Sequence, residues 1–199
     1  MIITKNKVRI FAMAAILTLS LYSCKPKLPV EMDLSREEFV LINQDSVEVT
    51  IPEILKNKIS LVGYIFTHCP DICPMTTHNM YRVQKKLTSE EDILFVVISF
   101  DPERDTPSVL KKYAELRDYD LNSWQLLTGK KEEINKLLDN VGVTAIAADS
   151  SFTESGELNY YFLHTDRISL VDKEAKVRKN YKGSTADINE IINDIKSLE

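Results

Sequence analysis

The chain has 199 residues, of which 44% are hydrophobic and 28% are charged, and its formal net charge at pH 7 is −5. This length and composition are typical of one globular domain. The acidic balance excludes the basic surface on which nucleic-acid-binding proteins depend, so we expect no nucleic-acid partner.

Residues 1–23 form a predicted signal peptide. Three basic residues precede the apolar run 10–21, which is too short for a comfortable transmembrane helix. Removing this segment leaves 22 basic against 30 acidic residues, a net charge of −8. We predict that residues 24–34, with two lysines and two prolines, form a tether, and that residues 35–199 form the folded domain.

The four residues Leu-Tyr-Ser-Cys at positions 21–24 resemble the bacterial lipobox, whose cysteine is lipidated and becomes the new N-terminus. This resemblance predicts a lipid on Cys24 that anchors the domain to a bacterial membrane, on the periplasmic face of the cell envelope. An uncleaved anchor helix and an ordinary secretory signal are the alternatives. All three interpretations place the domain outside the cytoplasm.

The first predicted elements are a hairpin, a buried strand and a helix. Runs 39–42 and 47–51 flank a turn-rich segment, which is typical of a hairpin. The apolar run 61–66 predicts a central strand, and the spacing of three apolar side chains predicts a helix over about 75–87. An N-terminal β-hairpin and a central sheet are therefore expected.

Two cysteines lie between this strand and this helix. Cys69 falls in the predicted turn, and Cys73 falls near the helix N-terminus, where free N–H groups and the helix dipole stabilise a thiolate. If Cys24 carries lipid, these two are the remaining cysteines. Export places them where thiols can be oxidised, but a structural disulfide closing so small a loop removes little entropy from the unfolded chain.

The remainder of the chain alternates strands with helices, which predicts a layered α/β fold with the site at the C-terminal ends of its strands. Thr106 and Pro107 suit a helix start. The predicted elements are strand 93–100, helix 107–117, strand 124–127, helix 134–141, an exposed loop over 147–159, a hairpin of 168–171 with 177–181, and helix 188–198.

Three ordered motifs resemble the Sco/SenC family of copper proteins. They are residues 66–74 (Phe-Thr-His-Cys-Pro-Asp-Ile-Cys-Pro), residues 101–107 (Asp-Pro-Glu-Arg-Asp-Thr-Pro) and His164. The resemblance implies a thioredoxin-like fold and one copper ion per chain held by Cys69, Cys73 and His164. It also implies a role in assembling the copper (CuA) site of cytochrome c oxidase subunit II, as copper donor, thiol reductant or both.

The chemistry of these residue types agrees with copper. Thiolates hold Cu(I), and imidazole also suits Cu(II), so the set implied for Cys69, Cys73 and His164 can bind either oxidation state. Structural zinc requires four ligands, and the sequence offers no second cysteine pair. The expected partners are subunit II or another extracytoplasmic copper protein, and a thiol reductant.

Two other histidines compete as ligands. His68 adjoins Cys69 on an extended segment and is expected to point away from it, and His78 lies off the helical face of Cys73. The residue before His164 is often acidic in the family, whereas this chain has Leu163. If that acid orients the imidazole in relatives, its absence affects the support of the ligand and so the metal affinity.

Other side chains near the motifs are weaker candidates for the site. Asp101 ends a predicted central strand and could border the site, and Arg104 could pair with Asp105 or with a carboxylate of a partner. The alternative is that this segment has only a structural role, as a turn followed by a helix cap. Met75 and Met80 could attract copper as thioethers, but their place in a helix favours core packing.

The leading functional hypothesis is a metallochaperone, which binds and transfers copper without turnover. The alternative is an extracytoplasmic thiol-disulfide oxidoreductase that uses Cys69 and Cys73 as a redox pair. Their three-residue spacer differs from the Cys-x-x-Cys of thioredoxin-like redox motifs, which mildly disfavours that alternative. A peroxidase or a purely structural domain is a more remote interpretation.

Overall fold

A computed structural model of the chain describes residues 28–87, 92–152 and 158–199. The predicted signal peptide and Cys24 lie outside the described residues. Within the part that is described, no helix is both long enough and apolar enough to cross a bilayer.

The described residues form ten strands, four helices and three short 3-10 turns. The strands are β1 Met32–Asp33, β2 Phe39–Asn43, β3 Glu48–Ile51, β4 Ile59–Ile65, β5 Ile93–Ser99, β6 Trp124–Thr128, β7 Ala145–Phe152, β8 Leu158–His164, β9 Ile168–Val171 and β10 Lys176–Tyr181. The helices are α1 Ile72–Lys86, α2 Pro107–Glu115, α3 Lys131–Val141 and α4 Ile188–Leu198, and the 3-10 turns are Leu34–Arg36, Glu53–Leu55 and Gly183–Thr185.

Eight strands form one sheet in the order β1-β10-β9-β4-β5-β6-β2-β3. The strands β4, β5 and β6 are parallel, and every residue of β4 and β5 is buried, as expected for a parallel pair covered on both faces. Helices α1 and α4 pack together, α1 lies on β4, α2 on β6 and α3 on β2. These contacts confirm the predicted thioredoxin-like α/β architecture.

Both ends of the sheet are antiparallel. Strands β2 and β3 form the predicted hairpin, whose turn is fixed by Asn43 Oδ1 accepting from the N–H groups of Asp45 and Val47. At the other edge β1 pairs with β10, so Met32 and Asp33, at the end of the predicted tether, are part of the sheet.

The predicted exposed loop over 147–159 is wrong, because strands β7 and β8 occupy most of this segment and form a two-stranded antiparallel ribbon. Alternation explains the ribbon. Phe162 packs on Phe66 and Phe100, whereas Leu163 beside it is exposed. Residues 147–159 are mainly polar, so this part of the ribbon lacks the continuous apolar run by which a buried strand is recognised.

The start of α1 and the cap of α2 differ from the prediction. Helix α1 begins at Ile72, three residues earlier than expected, which brings Cys73 into its first turn. Thr106 precedes α2, but its side chain makes no capping bond to the backbone, and its hydroxyl lies 3.0 Å from the Ser108 hydroxyl.

A polar junction fixes α1 against the segment that follows β8. The carboxylate of Asp166 accepts from the Thr76 hydroxyl (3.1 Å) and from the Ser184 N–H (2.9 Å). Gly183 lies between them, where a Cβ would stand 2.7 Å from Thr76 Cγ2 and 2.8 Å from Asp166 Oδ1. The close approach of α1 to this turn therefore requires glycine.

Replacing Gly183 with alanine is expected to lower the free energy of unfolding by about 1–3 kcal/mol, because the added methyl group must displace Thr76 or Asp166. Chemical denaturation measures this change. Gly129→Ala is the matched control, since its Cβ would meet no atom closer than the end of the Leu41 side chain, at 3.3 Å. Equal losses in the two variants would contradict a specific close approach at Gly183.

Candidate metal centre

The site lies where β4 ends and α1 begins, beneath the end of β8. Cys69 is half-buried in the connecting loop, where its N–H donates to the Phe66 carbonyl at 3.3 Å. Cys73 is buried in the first turn of α1. His164 is the last residue of β8 and is half-buried. Three separate elements thus bring together the residues that the sequence predicted.

The three side chains form a compact group. Their ligand atoms, two Sγ and one imidazole nitrogen, all lie within 4.8 Å of one another, and Cys73 Sγ is 3.5 Å from His164 Nε2. The Cys73 N–H points at Cys69 Sγ at 3.5 Å. Both cysteines are free thiols. The arrangement can bind one soft metal ion or, alternatively, close into a disulfide.

The imidazole of His164 is oriented by the backbone. Its Nδ1 lies 3.1 Å from the Thr165 carbonyl, to which it donates, so Nε2 faces the thiols. The ring also packs 4.9 Å from the Phe100 ring. Leu163 is 68% exposed on the other face of β8. The Thr165 carbonyl thus orients the imidazole, although the residue before His164 is not acidic.

The pKa values of the two thiols are shifted in opposite directions. The hydrogen bond from Cys73, together with one from His164, lowers the pKa of Cys69 to about 3. The hydrogen bond to Cys69 and burial raise the pKa of Cys73. Burial alone would lower the pKa of His164, but the contact with Cys69 and the Thr165 carbonyl raise it. Without metal, the site therefore holds a Cys69 thiolate beside a stable Cys73 thiol.

Asp105 is a site residue whose role the sequence did not predict. It is fully buried, and it accepts from the Thr67 N–H at 2.9 Å and from the Ser99 hydroxyl, while burial raises its pKa. These bonds hold the loop that carries Cys69 against the end of β5. Thr67 lies 38 residues before Asp105 in the chain, so no local sequence pattern predicts their hydrogen bond.

Asp101 and Arg104 anchor the ribbon. Arg104 pairs with Asp101, so the predicted pairing of Arg104 with Asp105 is wrong. The Tyr160 hydroxyl donates to Asp101 at 2.7 Å, and the Arg104 guanidinium lies 3.6 Å from the centre of the Tyr160 ring. Asp101 therefore contacts β8 through Tyr160, four residues before His164, and supports the position of that strand.

The competing ligands lie outside the cluster. His68 is exposed, with Nδ1 3.1 Å from the Thr67 hydroxyl, and His78 is exposed on α1. Met80 is buried against Gly63, which confirms core packing. Met75 is 46% exposed, so the prediction of core packing is wrong for that residue.

Known proteins are similar to this chain over most of its length. A family model described as SCO1/SenC matches residues 30–199. A SCO1 protein homolog of Bacillus subtilis strain 168 is 34% identical over 164 residues, which cover 81% of each chain.

Three solved structures are similar to this chain over most of its length. A SCO1/SenC family lipoprotein from Bacillus anthracis strain Ames is 34% identical with a TM-score of 0.70, covering 85% of this chain and 96% of that one. ScoI of Bradyrhizobium japonicum, solved with copper bound, is 29% identical with a TM-score of 0.70, covering 82% and 98%. BsSco, a member of the Sco family of cytochrome c oxidase assembly proteins in which a disulfide switch was identified, is 32% identical with a TM-score of 0.68, covering 86% and 97%.

We expect one thiolate per chain at neutral pH in the metal-free protein. Because the pKa of Cys69 is lowered and that of Cys73 is raised, Cys69 is ionised at every pH well above about 3, whereas Cys73 stays protonated. Thiolate ultraviolet absorbance against pH, with mass mapping of the alkylated cysteine, measures both. Cys73→Ala removes the hydrogen-bond donor, so the pKa of Cys69 should rise. Preferential alkylation of Cys73 would contradict the assignment.

Proposed function

This chain belongs to the SCO1/SenC family, and we propose that it binds one copper ion per chain through Cys69, Cys73 and His164 and helps to metallate the CuA site of cytochrome c oxidase subunit II. Its ordinary role is then that of a metallochaperone. Subunit II, or another extracytoplasmic copper protein, is the expected partner.

The observation that carries this proposal is the convergence of two sulfur atoms and one imidazole nitrogen within 4.8 Å. Thiolates favour Cu(I), and the imidazole also accepts Cu(II), so the donor set fits copper in both oxidation states. Three protein ligands leave a coordination position open through which an acceptor ligand can reach the metal. Copper bound in the related ScoI structure supports the same assignment here.

The acidity of Cys69 favours a second candidate function, thiol-disulfide exchange. The Cys69 thiolate would attack a partner disulfide, one partner sulfur would leave as a thiolate, and Cys73 would then resolve the mixed disulfide. The partner gains two thiols and this chain gains a Cys69–Cys73 disulfide, so a thiol reductant must restore it. The disulfide switch identified in BsSco supports a redox role for the pair.

We place the protein at the cell envelope, outside the cytoplasm, with a lipid on Cys24 as its membrane anchor and residues 24–34 as the segment that joins lipid to domain. The lipobox-like sequence at residues 21–24 supports this proposal, as does similarity to a lipoprotein of the same family. The −8 charge of the chain without residues 1–23 favours encounter with a basic patch on a partner.

Copper binding is tested by anaerobic titration of residues 24–199, carrying Cys24→Ser, with Cu(I) against a competing chelator and separately with Cu(II). We expect one tightly held copper per chain and a thiolate-to-copper absorption band. Cys69→Ser or Cys73→Ser should abolish tight binding, and His164→Ala should weaken it by at least roughly tenfold without unfolding the domain. His68→Ala is the matched control and should leave the affinity unchanged.

Transfer is then measured by mixing the copper-loaded chain with the metal-free, reduced CuA domain of subunit II. Appearance of the CuA spectrum supports metallation. A chain that fails to bind stoichiometric copper but rapidly reduces the disulfide of an oxidised CuA domain would instead be an oxidoreductase.

Expression of the full chain in a bacterial host tests the anchor. We expect a mature N-terminus at Cys24, a mass increase that matches a diacyl or triacyl modification, and recovery in the membrane fraction. Cys24→Ser should remove the lipid and the membrane association while leaving copper affinity unchanged. An unmodified chain that begins elsewhere would contradict the lipid anchor.

A further inference from the structure

Two exposed side chains of α1, Met75 and His78, form a second group with copper-binding chemistry. They are three residues apart on the helix, so they are neighbours on its surface, about 5–6 Å apart at Cβ. Both are exposed, and the Met75 side chain is 46% accessible. An exposed thioether gains little from packing, so its position beside an imidazole calls for another explanation.

The pair lines one open cavity. Its volume is about 530 Å³, and its walls include Tyr81 and Tyr119, whose ring centres are 5.8 Å apart. Arg117 also faces the cavity, but its guanidinium stacks 3.5 Å above the Tyr113 ring and donates to the Tyr113 carbonyl. Its charge is therefore directed at Tyr113.

Asp118 completes the charged groups at this cavity and adds a carboxylate near the pair. A cation in the cavity would therefore meet one engaged guanidinium and one carboxylate, with a thioether and an imidazole as its neutral donors. That balance admits a monovalent cation.

We propose that Met75 and His78 bind Cu(I) as an accessory site, separate from the Cys69, Cys73 and His164 centre. Thioether sulfur selects Cu(I), and imidazole is a good copper ligand. Zinc, which takes four ligands in structural sites, is poorly served by the pair. Two neutral donors bind the ion weakly, so this site is expected to exchange its copper readily with solution. The accessory binding does not rest on the proposed function.

The two sites lie on different faces of α1. Met75 follows Cys73 by two residues, which is about 3 Å along the helix axis and about 200° around it. Cys73 is accordingly buried, whereas Met75 is exposed. An ion held by Met75 and His78 would therefore be separate from an ion held by Cys69, Cys73 and His164.

The accessory site is tested in a chain of residues 24–199 carrying Cys24→Ser, Cys69→Ser and Cys73→Ser, with methionine methyl groups labelled with carbon-13. Ag(I), a redox-inert substitute for Cu(I), is added first, and Cu(I) is then added anaerobically. We expect the Met75 methyl resonance to shift and to saturate at one ion per chain. The Met80 methyl, buried against Gly63, is the internal control and should not shift.

His78→Asn should weaken this response severalfold, and Met75→Leu should remove the shifting resonance and the bound ion. His68→Asn replaces another exposed histidine and should change nothing. A Met75 methyl that does not move, or a response that is unaffected by His78→Asn, would overturn the accessory site. In the chain with both cysteines, Met75→Leu should leave tight copper affinity intact. A loss of tight affinity would contradict the separation of the two sites.

The two proposals fail separately. Loss of tight copper binding in the chain that retains Cys69 and Cys73 would remove the proposed function, while the methyl response in the variant without thiols would still establish the accessory site. Tight copper binding together with a Met75 methyl resonance that does not shift would support the proposed function and overturn the accessory site.

Discussion

The buried parallel pairing of β4 with β5 is the constraint on which the site depends. The register runs from Ile59 opposite Ile93 to Ile65 opposite Ser99, so both strands end at the same edge of the sheet. The Phe100 N–H extends the ladder by donating to the Ile65 carbonyl at 2.9 Å. Because both faces of both strands are buried, a slip in register would move apolar side chains out of their packed positions and displace the loop after β4.

Two anchors position the proposed metal site at this shared edge. Asp105 ties the cysteine loop to the end of β5, and Asp101 ties β8 to the same end through Tyr160. Both carboxylates are buried, so their hydrogen bonds are made in a medium of low dielectric constant, where an unpaired partner is costly. The ribbon that delivers His164 pairs with no other strand in the described chain, and it therefore depends on such side-chain contacts for its position.

The sequence predicts those features that follow from local or repetitive patterns. The central strands, the hairpins, the helices and the meeting of Cys69 with Cys73 all rest on contiguous apolar runs or short spacings. His164 could be assigned only through the family resemblance, because 91 residues separate it from Cys73. The ribbon was missed because its inward residues alternate with exposed ones, and its pairing shifts between Ala148 and Ser150. Met75 was misassigned because it lies five residues before Met80, about 140° around the helix from the buried stripe.

The same two sulfur atoms serve both proposed activities, and this sharing has a chemical consequence. Copper binding replaces the protons on the ligands, whereas thiol reduction ends with a bond between Cys69 and Cys73 that removes both sulfur atoms as thiolate ligands. A molecule that carries copper is therefore unable to reduce a disulfide with this pair, and a molecule that has reduced one is unable to hold copper until the pair is restored. Whichever reactant first reaches the Cys69 thiolate, the more acidic and more exposed of the two sulfur groups, decides which reaction that molecule performs.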